Sequence, residues 1–130
     1  MNDFSVAIFN YVRDVVRERY PGCLVTSAPL NSDRPQLPAL TIRFSFPSAD
    51  EATFSSGGEV FTRTVCDAEA YSGTSAAEAR GILALADDAM GRCGFRRSNY
   101  TEVANADQTI RRYAIKWRGS VDRDGNVARW

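Results

Sequence analysis

The residue types in this chain that could do chemistry fall into a few clusters. Asp67 and Glu69 lie two apart in EVFTRTVCDAEAY, so an extended backbone puts both carboxylates on one face of a strand. Asp87 and Asp88 are adjacent in a helical stretch. Paired carboxylates in one cleft can share acid and base work, whereas on solvated faces they are ordinary surface charge. Arg96-Arg97 and Arg111-Arg112 are forked cation pairs of the kind that grips phosphate or carboxylate. In an extended strand each pair puts one member on either side, so at most one arginine per pair joins a given patch.

What would complete these clusters is missing from the sequence. With no His, the usual nucleophilic triads and His-ligated metal sites are excluded. Cys23, Cys66 and Cys93 are odd in number, widely spaced and outside any CxxC pattern, which indicates neither a disulfide framework nor a zinc site. They are expected to be reduced, with Cys66 and Cys93 buried. DRDGN resembles the start of a calcium loop, but the chain ends before the Glu that an EF-hand needs at its twelfth position. GTSAAEARG has a glycine at each end, yet no Lys-Ser/Thr follows the second, so it reads as a helix cap and not a phosphate loop. The residues call for no cofactor. A small α+β enzyme using Asp67, Glu69 or Arg111 and a nucleic-acid module using Arg96, Arg97, Arg111 and Arg112 remain as rival readings.

The chain has 130 residues with 16 basic and 16 acidic side chains, so it suits one domain, residues 1–130, without the basic excess that coating nucleic acid requires. Lys116 is the only lysine beside the arginines, which suits forked, interface-ready donors or a GC-rich genome. No apolar run reaches the roughly 18 residues of a bilayer span, and MNDFSVAIFNYVRD lacks the positive start of a signal peptide. A soluble protein made in a cytoplasm, with no membrane partner, is expected.

The elements that must position the charged residues follow from periodicity. In DFSVAIFNYVRDVVRERY, Phe4, Ile8, Tyr11, Val12, Val15 and Val16 form one helical stripe; Asn2 or Asp3 can cap it, and Pro21-Gly22 stops it. A short strand, CLVTSA, precedes a proline-rich loop. ALTIRFSF then alternates, Leu40, Ile42, Phe44 and Phe46 against Thr41, Arg43 and Ser45. The connection at 47–58 is long and polar, with one exposed-looking aromatic, Phe54. In the strand 59–71, the small face of Thr64, Cys66, Ala68 and Ala70 predicts close packing on a helix.

Ser75-Ala-Ala-Glu78 is a capping box that starts the second helix, with Ala79, Ile82, Leu83, Ala86, Met90 and Cys93 facing the core. Gly94-Phe95 predicts a Schellman stop that folds Phe95 back onto Met90. RRSNYTEVANADQ reads as connection with a short strand. TIRRYAIKWR alternates Tyr113, Ile115 and Trp117 against Ala114, Lys116 and Arg118, and Asp124-Gly125 predicts a hairpin across 119–130. The fold class is α+β: two helices on one face of a mostly antiparallel, twisted sheet in the order α-β-β-β-α-β-β.

The run CDAEAYSGTSAAEARGILALADDAMGRCGFRR, a polar loop, then TIRRYAIKWRGSVDRDGNVARW resembles the tail-completion or tail-terminator proteins of long-tailed bacteriophages, also filed as minor capsid proteins. The carriers are a strand ending in Tyr-Ser, a helix ending in Gly-Phe, an Arg-rich strand and a closing hairpin, with an N-terminal helix ended by Tyr-Pro-Gly. The likeness spans essentially the whole chain. Ala68 and Ala70 stand where the family usually has branched apolar residues, which leaves the subtype open. The resemblance implies a ring, commonly of six subunits, that caps the tail tube and meets the head connector or head-completion protein. DNA would be a partner only by passage through the ring. It implies a virion location at the head-to-tail junction, assembly in the host cytoplasm and no catalysis; a head-completion or connector protein is the alternative.

On that reading Tyr71-Ser72-Gly73, the capping box and Gly94-Phe95 hold a helix rigidly across a sheet, because a heterologous contact closes into a ring only at the right angle. The 47–58 loop with Phe54, the hairpin 119–130 with Trp130, and Arg111 and Arg112 are the expected contacts with a neighbouring subunit or partner, since interfaces favour aromatics and arginines.

Overall fold

The computed structural model describes residues 3–30, 35–45, 52–54, 60–105 and 107–122. Its elements run α1 (Asp3–Arg19), β1 (Leu24–Thr26), β2 (Ala39–Ser45), β3 (Ala52–Phe54), β4 (Val60–Ser72), α2 (Ala76–Arg92), β5 (Arg96–Val103) and β6 (Arg111–Asp122). The class is α+β as expected. The sheet follows the order β1-β2-β4-β6-β5, with the short β3 also on β4, and every pairing but β1 with β2 is antiparallel.

Period-two alternation decides which side of this sheet is covered. Leu40 and Ile42 on β2 pair with Ala70 and Ala68 on β4, which pair in turn with Tyr113 and Ile115 on β6. All six are buried, and α2 lies on β4 and β6 over this face with α1 along α2. The small residues of β4 are what let the helix approach: Cys66, Ala68 and Ala70 are at most 1% exposed. Trp117, the largest fully buried side chain, donates its indole N–H to Asp87 Oδ1 on α2 at 2.8 Å. Burying a tryptophan without a partner for that donor would carry a desolvation cost. Asp87 is therefore a structural acceptor, also 3.7 Å from Arg97, and not half of a solvated pair with Asp88.

Both ends of α2 are fixed by hydrogen bonds, from side chains at the start and from the backbone at the end. Ser75 is the N-cap, its Oγ accepting from the Glu78 N–H at 3.1 Å. The reciprocal half of the capping box differs from expectation. Glu78 Oε1 accepts from the buried Ser72 hydroxyl at 2.7 Å, while Ser72 Oγ accepts from the N–H groups of Thr74 and Ser75 at 3.0 and 3.1 Å. Ser72, last residue of β4, thus joins strand, turn and helix in one hydrogen-bonded hub. At the other end Gly94 adopts φ 93°, with Phe95 N–H donating to Met90 O and Gly94 N–H to Gly91 O, both at 3.0 Å. This is the Schellman pattern the sequence predicts. It delivers Phe95 to the core, edge-on to Phe44 with centroids 6.2 Å apart and tight over Gly119.

Several expectations are corrected. Tyr11 is exposed, not buried; the α1 stripe is Ile8, Val12 and Val16 with Val15 packed partly buried beside them, and Tyr11 reaches out to accept from Arg92 at 3.1 Å. Cys93 caps α2 and is only half-buried, whereas Cys23 and Cys66 are buried. RRSNYTEV is a full strand, because the Arg112–Arg118 stretch of β6 offers β5 a partner along its length. Part of the 47–58 loop, Ala52–Phe54, pairs with Val60–Thr62 of β4. The capping role of Asn2 or Asp3, the facing of Phe4 and Phe46 and the Asp124-Gly125 hairpin lie outside the described residues and side chains.

Candidate functional site

The helix-free face of the sheet holds the side chains between the core positions. Register sets them in rows across the strands: Arg43, Asp67, Lys116 and Asn99; then Thr41, Glu69, Ala114 and Thr101; then Ala39, Tyr71, Arg112 and Val103. Asp67 and Glu69 do share one strand face, as the alternation requires. The cross-strand order interleaves cations with them, however, so neither is a free acid.

Glu69 and Arg112 form the centre. The guanidinium Nη2 lies 2.8 Å from both carboxylate oxygens, with Nε at 3.2 Å. Tyr71 donates its hydroxyl to Glu69 Oε2, and the Arg112 guanidinium stacks over the Tyr71 ring, 5.4 Å from its centroid. Burial pushes the Glu69 pKa up, but donors from Arg112 and Tyr71 outweigh it and hold the carboxyl below its ordinary value. Burial, with the bond to Glu69, pushes the Tyr71 phenol to about 12. Both groups keep these charge states at neutral pH. Lys116 pairs loosely with Asp67 at 3.6 Å, both side chains nearly half exposed.

Around this centre lies an open groove of about 750 Å³. One wall is the stretch after β1, with Pro29, Leu30, Pro35 and Leu37; the other carries Asn105, Asp107 and Ile110. Asp107 fixes that second wall by accepting from the Thr109 N–H and hydroxyl at 2.9 and 2.6 Å. The floor is polar, with Glu69 paired to Arg112, Asp67 paired to Lys116, and Arg43 opposite Asp67 in register. Among the described residues no group of three or more His, Cys, Asp or Glu is placed to hold a metal ion. No described helix is long and apolar enough to cross a membrane.

Of the expected contact residues, Arg112 is in the groove, engaged by Glu69, and Arg111 is exposed one residue earlier, paired in register with Ser72. Phe54 ends β3, opposite Val60. Trp130 lies outside the described residues. The structure does not bring Phe54 and Arg112 together: β3 flanks one end of β4 and Arg112 the other. The arginine pairs divide as alternation requires. Arg97 reaches Asp87 on the helix side, while Arg96 pairs with Arg118 in register on the open side, before a bulge between Arg97 and Asn99.

Sequence reasoning missed the Ser72–Glu78 bond and the fit of Tyr20 against Gly81, where a Cβ would lie 2.3 Å from the Tyr20 hydroxyl. A serine ending a strand three residues before an N-cap serine was the available signal for the first. Comparison with known proteins finds no family model and no curated protein that matches the chain.

Proposed function

We propose that this chain is a structural protein of a long-tailed bacteriophage, whose copies close into a ring that terminates the tail tube and joins it to the head connector. The residue pattern supports the reading from the first helix to the closing hairpin. The observation that carries it in three dimensions is β5. This edge strand of eight residues is exposed at every position but Val103, and no described strand pairs with its outer side. A long open edge is a template for pairing with another chain, and monomeric proteins ordinarily blunt or cover such edges. The groove floor agrees, since its carboxylates Asp67 and Glu69 are each paired with a cation of the same face and are not left to act on a substrate.

The α2 hub and Schellman stop serve the same end. Ser72, Ser75, Glu78 and Gly94 fix the helix on the sheet at both ends, so the angle between one subunit and the next is set by a stiff body. Ring and tube would meet in the virion, after assembly in the host cytoplasm. Negative-stain imaging of the purified protein, alone and with tail tubes, tests this: rings, free or at tube ends, are expected. Binding to tail-free heads in place of tubes would reassign the protein to head completion.

A further inference from the structure

The strand β5 carries a pattern that reads alike from both ends. Seven of its eight residues pair with β6, and Ser98 is set aside by the bulge. Tyr100 is the fourth of the seven, flanked by Asn99 and Thr101, then by Arg97 and Glu102, then by Arg96 and Val103. The β6 partners fix the faces. Arg97, Tyr100 and Glu102 stand opposite the buried Trp117, Ile115 and Tyr113 and so lie on the helix side, while the other four lie on the open side. Each residue therefore matches its mirror position in face, and the one mirror pair with two charges joins a cation to an anion.

The edge is free to be paired. The Tyr100 N–H donates to Asn99 Oδ1 at 3.0 Å, and the Glu102 carbonyl accepts from the Thr101 hydroxyl at 3.2 Å. These backbone groups, two residues apart and turned the same way, are held by exposed side chains of their own strand, which a second strand can replace. Arg97 meets Asp87 only at 3.7 Å with 54% of its side chain exposed, and Tyr100 is 38% exposed. Glu102 is held on the helix side by a bond from the Tyr113 hydroxyl. Among the described residues no strand lies beyond β5. A copy added there by a two-fold axis normal to the sheet keeps its helices on the same face. The two β6 strands are then about 14 Å apart, three strand spacings, and each α2 lies over β6 and the still more distant β4. Helices about 10–12 Å wide with their side chains fit at that separation.

We infer that β5 pairs antiparallel with β5 of a second copy, about a two-fold axis at Tyr100. Arg97 of each copy then faces Glu102 of the other, Asn99 faces Thr101, and the two Tyr100 side chains are directly opposed. Unlike charges and aromatics set opposite one another stabilise a ladder, and the pairing covers the edge that a lone subunit leaves open. The inference rests on the reading of this edge as a contact between copies, and specifies its register. A two-fold contact closes on itself, so subunits meet here in pairs, and joining pairs into a ring takes a second surface.

Charge reversal followed by native mass spectrometry tests the register. Arg97→Glu and Glu102→Arg should each melt near the parent chain yet pair at least tenfold more weakly, since each alone sets like charges opposite one another. Their equimolar mixture should recover as a one-to-one pair, because both contacts then join unlike charges. Cysteine linkage gives a check independent of charge. Beside an outward-bonding Tyr100, Asn99 and Thr101 of the other copy form a non-hydrogen-bonded pair with Cα atoms about 4.5 Å apart, within the span of a disulfide. Asn99→Cys mixed with Thr101→Cys should therefore link between chains under mild oxidation, above the level of the parent chain. Neither should link alone, because like positions are diagonal and about 7–8 Å apart. A mixture of charge variants as weak as its components, a cysteine mixture that does not link, or Asn99→Cys linking to itself would overturn this pair. Rings still seen with such variants would leave the ring reading standing. A parent chain that stays monomeric at every concentration, even with tube protein, would sink both.

Discussion

Ser72 does more at the level of single residues than its place in the sequence suggests. Its hydroxyl accepts from Thr74 and Ser75 and donates to Glu78, all within a buried site. Ser72→Ala strands two backbone donors and a carboxylate, so a loss of about 2–3 kcal/mol is expected from chemical denaturation, against about 1 kcal/mol for Ser75→Ala. Equal losses would mean that the hub adds nothing to an ordinary cap. Thr64 is the opposite case. Its hydroxyl is buried with no partner among the described residues, so Thr64→Val should be neutral or stabilising by up to about 1 kcal/mol.

Glu69 supplies a pH dependence. Its folded pKa lies below the ordinary 4.5, so its contribution to stability is present above that pH and fades as pH falls through the lower folded value. The difference in urea midpoint between the parent chain and Glu69→Gln should be constant above pH 4.5 and shrink below it. A pH-independent difference would show that the Arg112 and Tyr71 bonds do not favour the charged form. The sequence made the facing of Asp67 and Glu69 legible through alternation alone. It did not reveal their neutralisation, because cross-strand register joins residues 43 positions apart, Glu69 and Arg112.

At the scale of elements, α2 contains two glycines that cost alike in helix propensity but differ in surroundings. A Cβ at Gly91 meets nothing within 4 Å, while one at Gly81 meets the Tyr20 hydroxyl at 2.3 Å and the next ring atom at 3.4 Å. Gly91→Ala should therefore raise stability by about 1 kcal/mol. Gly81→Ala should fail to do so in the parent chain, yet gain about as much in a Tyr20→Phe background, where only ordinary contact remains. Thermal melts of the four chains in that cycle give the coupling directly; additive effects would refute the fit of Tyr20 over Gly81.

The helices and the alternating strands were readable because burial on one side writes a period of 3.6 or 2 into the sequence. The strand β5 was not, since neither of its faces is buried and RRSNYTEV shows no apolar alternation. Its existence depends on β6, a partner later in the chain. Tyr11 was misread for a related reason: it lies at the edge of the α1 stripe, and only the placement of α2 with Arg92 draws it outward.

For the whole molecule, one sheet face is covered by two helices and the other is a polar groove bounded by an open edge strand. A subunit whose helix is fixed on the sheet at both ends, and whose edge strand β5 has no described strand on its outer side, is suited to repeat by rotation, and the ring proposal rests on that. Truncation of residues 128–130, removing Trp130, should leave the melting temperature near that of the parent chain while impairing assembly; a truncated subunit that unfolds would instead place this end in the core. The most direct test of the central claim is the mass of the native assembly across a concentration series, with and without tail tube protein. The account predicts a single closed species, six subunits by the family resemblance, that does not grow with concentration. A monomer at every concentration, even with tube protein present, or an open series of lengthening oligomers, would contradict it.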